Sequence, residues 1–124
     1  MIMQYQQEEL ARAVTILTNT IHNCEKMQRK FAEGTSQHTL LKNRIIALNI
    51  SKALLTNDRT MTFTVEELRE ALPPVVSIIH KTARAQNKYE EGSSQFKRFE
   101  PLIQAMLISK AFIERRIEAL SELR

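Results

Sequence analysis

The chain has 124 residues and a mass of 14.4 kDa, the size of one domain of about 100–150 residues. It is 43% apolar and 26% charged, with a formal charge of +4 and a pI near 9.5, so it can bury a core and is not compositionally disordered. With 2 Gly, 3 Pro, 6% aromatics and one cysteine, it lacks the turns of an all-β fold, a disulfide framework and a cysteine zinc site.

No apolar run approaches the ~18 residues of a membrane span, and Met1 to Gln6 have no basic stretch followed by an apolar block. The expectation is a cytoplasmic, all-α protein.

In chain order, Leu10, Val14, Leu17, Ile21, Cys24 and Phe31 recur at helical steps and define a first amphipathic helix. Gly34 suits the left-handed residue after it, and Thr35 or Ser36 offers an oxygen to the free N–H groups of the next. The second stripe is Leu41, Ile45, Leu48, Leu55. Residues 57–64 form the link, and Thr64 with Glu67 has the spacing of a capping box. The third stripe runs Leu68, Leu72, Val75, Ile79, Tyr89, and the turn follows at Gly92, Ser93, Ser94. The last is Phe99, Ile103, Met106, Ile113, Ile117, Leu120. Pro73-Pro74 predicts a kink or break near Leu72, and Pro101 either kinks the fourth helix or opens a late-starting one.

These stripes are two copies of one plan. Residues 8–55 laid over 66–113, a shift of 58, share 18 identities in 48 positions without a gap. Among them are Glu33-Gly34 with Glu91-Gly92 and Ile50-Ser51-Lys52-Ala53 with Ile108-Ser109-Lys110-Ala111. Two copies are too few for an open solenoid, so they must pack on each other. The pattern predicts a single domain over residues 1–124: an antiparallel up-down-up-down four-helix bundle of two tandem αα-hairpin repeats.

Charge is uneven. Residues 25–44 and 81–98 each carry a net +3, and the remainder carries −2. If the two Gly turns share an end, that end is a basic pole including Lys30, Lys42, Arg44, Lys88, Lys97 and Arg98. Cations at helix C-termini suit the dipole, but Lys42, Arg44, Lys97 and Arg98 lie near helix starts and gain nothing from it. A solvated basic end and a docking surface for an acidic partner are both open readings.

Lys52 and Lys110 fall on the apolar faces of helices two and four, where an ammonium snorkels, holds an anion, or pairs across an oligomer interface. Gln28 and Gln86 project from the same faces of helices one and three. His22 and His80 point away from the stripes, and helix two has no carboxylate, so no metal site or cofactor is expected. Cys24 reads as a buried thiol, and Ser51-Lys52 as residues too divergent in direction for a nucleophile pair.

Ile46, Ile50 and Leu54 form a second apolar face on helix two, and Ile108 and Phe112 one on helix four. Such faces are covered by a second copy, another protein, or a wider core than four helices ordinarily make. The leading expectation is a non-enzymatic interaction module, dimeric through helices two and four, that offers its basic pole to an acidic partner. The alternative is a small-anion or nucleic-acid binder using that pole and Lys52/Lys110.

Overall fold

The computed structural model describes residues 5–123, which form helices and no strand. The helices are α1 (Gln7–Gln28), α2 (Ser36–Leu55), α3 (Val65–Gln86), the short α4 (Ser94–Lys97) and α5 (Glu100–Glu122), and together they make a helical bundle. Residues 1–4, on which the expected lack of a leader rests, lie outside the described residues.

Local chemistry sets the helix starts. The Glu9 carboxylate accepts from Gln6 N–H at 3.2 Å, and Glu67 from Thr64 N–H at 2.9 Å, so α1 and α3 open on the same device. Thr35 Oγ1 accepts from His38 N–H and Ser93 Oγ from Phe96 N–H, capping α2 and α4. Gly34 and Gly92 have φ of +93° and +86°, the conformation that lets the chain leave one helix and enter the next.

Packing is centred on α2 and α5. Each contacts α1 and α3, and the two also contact each other. Ala47 and Ser51 on α2, and Ala105 and Ser109 on α5, are all buried. Each serine donates to the alanine carbonyl four residues back at 2.8 Å, so its hydroxyl is satisfied within its own helix. Small side chains at i and i+4 allow a neighbouring helix to come close. Leu17, Leu48, Leu68, Val75, Met106, Ile108 and Ile113 fill the core around them.

Three expectations are corrected here. First, Ile50, Leu54 and Ile108 are not on an outer face: they are 5%, 6% and 1% exposed. Because α2 and α5 pack on three long helices each, a second apolar face on either is consumed inside the chain. Ile46 stays 48% exposed, and Phe112 is half-buried with its ring centroid 5.9 Å from that of Tyr5.

Second, of the kink or break expected near Leu72 the break is absent, since α3 runs continuously through Pro73 and Pro74. The prolines withhold N–H groups from the carbonyls of Arg69 and Glu70, residues on the solvent side. Water can serve those carbonyls, while buried Leu68, Ala71 and Val75 anchor the helix on both sides.

Third, Tyr89 is not part of a core stripe, because α3 ends at Gln86 and the ring stands in the turn. Pro101 follows its second reading: α5 starts late, at Glu100, with the proline in its first turn, where a missing N–H costs nothing.

Candidate functional site

The two turns are built alike up to their glycines. After α1, Phe31 N–H donates to the Gln28 carbonyl and Thr35 N–H to that of Ala32; after α3, Tyr89 N–H donates to Gln86 and Ser93 N–H to Glu90. Past the caps they diverge. Helix α2 continues from Ser36, whereas α4 ends at Lys97 and the chain passes through Arg98 and Phe99 before α5.

This detour is held by two contacts between residues ten apart. Buried Gln86 donates from Nε2 to the Phe96 carbonyl at 3.0 Å, and the Tyr89 ring stacks on Phe99 with centroids 5.8 Å apart and planes at 29°. Periodicity placed Gln86 on a face but could not supply its partner. Tyr89 and Phe99 were assigned to separate stripes, so their pairing was missed.

Lys30, Lys42, Lys88, Lys97 and Arg98 are exposed. Arg44 behaves differently. It is half-buried, its Nε and Nη2 are shielded with no hydrogen-bond partner, and its charge acts on Cys24 of α1. Burial pushes the Cys24 thiol up, Arg44 works against that, and Glu25 adds to it. The thiol is thus buried and kept protonated, and Arg44 belongs partly to the α1–α2 contact rather than to an open basic surface.

Ion pairs lie elsewhere. Among the described residues Lys110 pairs with Glu114 at 3.3 Å and Arg115 with Glu118 at 3.9 Å, both on α5 and both exposed, where such pairs add little stability. The same step of four from half-buried Lys52 reaches Thr56, whose hydroxyl donates to the Lys52 carbonyl. His22 and His80 are exposed, and no group of three or more His, Cys, Asp or Glu among the described residues is placed to hold a metal.

A groove of about 920 Å³ runs between the first halves of α1 and α5, a volume within the range of ligand pockets. Ala13, Ile16, Phe96, Pro101 and Ile108 give it an apolar lining, and Arg12, Glu9 and Glu100 add charges of both signs. It was not legible in the stripes, because it depends on which helix lies beside α1. Gln86 and Phe96 also line it, so the second turn comes up beside the first half of α1. Twelve residues, roughly 18 Å of helix, still separate Ile16 from Gln28 at the first turn.

No family model matches the chain, and neither a curated protein nor a solved structure matches it. Among the described residues, no helix is long and apolar enough to cross a membrane.

Proposed function

We propose that the protein is a non-enzymatic helical interaction module, a duplicated αα-hairpin in an up-down-up-down arrangement whose basic turns receive an acidic partner. The observation that carries this reading is the state of the cations. Lys30, Lys42, Lys88, Lys97 and Arg98 are exposed at or beside the turns, while both ion pairs among the described residues lie on α5 beyond them. Like charge left unpaired at each turn raises the local potential there and draws in anions.

Supporting the duplication, positions 58 apart share glycine conformation, cap chemistry and burial. Supporting a binding rather than catalytic role, the Ser51 and Ser109 hydroxyls are buried and committed to backbone carbonyls, and Cys24 is buried. Self-association through α2 and α5 has lost most of its surface, since of its five residues only Ile46 and Phe112 are not buried. The small-anion alternative is weakened at Lys110, which already has Glu114.

Titration with poly-L-glutamate at low and moderate salt tests the reading. Binding is expected to fall steeply with salt and to weaken further in Lys97→Glu/Arg98→Glu and in Lys30→Glu/Lys42→Glu. Binding that ignores both salt and these substitutions removes the proposal.

A further inference from the structure

The second turn carries something that the first does not. Tyr89 is 45% exposed, yet its ring is fixed against Phe99, which is itself half-buried at the start of α5. Gln86 ties the intervening backbone down through the Phe96 carbonyl. One aromatic face is therefore held in place at the surface with little rotamer freedom left to lose. Lys88 precedes Tyr89, and Lys97 and Arg98 precede Phe99; all three are exposed. Glu90 and Glu91 follow Tyr89 and Glu100 follows Phe99, which balances the turn's own three cations, and Lys81 and Arg84 farther back on α3 bring residues 81–100 to a net +2.

The first turn has the charge without the platform. Phe31, the counterpart of Tyr89, is half-buried, and the counterpart of Phe99 is buried Leu41.

We infer that the second turn is a docking surface for single-stranded nucleic acid, with a base stacked on Tyr89 and the adjoining phosphates met by Lys88, Lys97 and Arg98. The inference rests on the reading of the turns as anion-receiving and goes further by naming the partner's chemistry. Stacking of bases on surface aromatics beside a basic track is the general mode for single strands and needs no sequence preference. An acidic peptide supplies the charge, but its carboxylates have no planar face to lay on the ring.

The test is fluorescence anisotropy of a fluorescein-labelled oligothymidylate about twelve nucleotides long, run beside poly-L-glutamate on the full chain. Tyr89→Ala and Tyr89→Leu are expected to weaken oligothymidylate binding about tenfold, while Tyr89→Phe retains it and poly-L-glutamate binding stays unchanged. Tyr89→Leu keeps an apolar group against Phe99, so it separates loss of the π-face from loss of packing. Lys97→Glu/Arg98→Glu is expected to flatten the salt dependence, whose logarithmic slope drops by about 0.7 for each phosphate left without its cation. Oligothymidylate binding indifferent to Tyr89→Ala and Tyr89→Leu overturns the inference. So does oligothymidylate binding no tighter than poly-L-glutamate; in both cases the acidic-partner reading stands. If neither polymer binds at low salt, both readings fall.

Discussion

Ala47, Ile50 and Ser51 on α2 and Ala105, Ile108 and Ser109 on α5 are buried alike, and both serines bond back to their alanines. Around the turns the same two stretches part company. Helix α2 leaves its Thr35 cap and runs on, whereas the chain after Ser93 makes one short helix, a turn at Arg98 and Phe99, and a late start at Glu100. The interior positions are held by a neighbour that must fit them, since α2 and α5 pack on each other. At the exposed position the chain has been free to exchange Asn43 for Pro101, and near it buried Leu41 gives way to half-buried Phe99. Likeness inside and difference outside separate what the fold requires from what a partner could use.

The largest effect tests the likeness. Ile50→Ala and Ile108→Ala should each cost about 2–5 kcal/mol in urea unfolding, and by similar amounts, because both create a cavity in one shared core. A cost below about 1 kcal/mol at Ile50 alone would mean that its side of α2 is not interior. Next comes the difference at the turns. Asn43→Pro should cost about 3 kcal/mol by removing an N–H from within α2, whereas Pro101→Asn should cost less than about 1 kcal/mol. Equal costs would show that the two positions are not in different helical settings.

Smaller still, Gly34→Ala and Gly92→Ala should each lose about 1–2 kcal/mol. A Cβ at either glycine meets nothing within 4 Å, so the penalty comes from the positive φ alone, and Asn should recover part of it. The smallest effect lies in the link, which neither half contains. Hydrogen bonds from the Thr60 hydroxyl, and then its backbone N–H, hold the Asp58 carboxyl below its usual value. With the folded value depressed, this contribution is present at neutral pH and is lost as pH falls through the acidic carboxylate range. In Thr60→Val an NMR titration of Asp58 should move up toward the ordinary carboxylate value. An unmoved titration would assign the shift to something other than that hydroxyl.

Much of the fold could be read from residue spacing. The stripes found Leu17, Leu48, Val75, Met106 and Ile113, all buried, and the glycines and cap residues marked both turns. What spacing could not decide was the far side of a two-sided helix. Ile50 and Ile108 declared that α2 and α5 are apolar on both sides, but the coverer is set by tertiary packing, which leaves no mark in a one-dimensional pattern. Pro73-Pro74 open no break for a related reason: a local breaker is outweighed by buried residues before and after it. At the turns the cations were legible one by one. The Tyr89–Phe99 stack, the Gln86 tether and the withdrawal of Arg44 toward Cys24 join residues distant in sequence, so they emerge only in three dimensions.

The contact between α2 and α5 has a consequence for how the molecule behaves on dilution. Where two separate helix pairs would fall apart as concentration drops, here the link of residues 56–64 keeps the partners on one chain at a fixed high effective concentration. Melting should therefore be a single transition at the same temperature in dilute and concentrated samples, with neither pair outlasting the other.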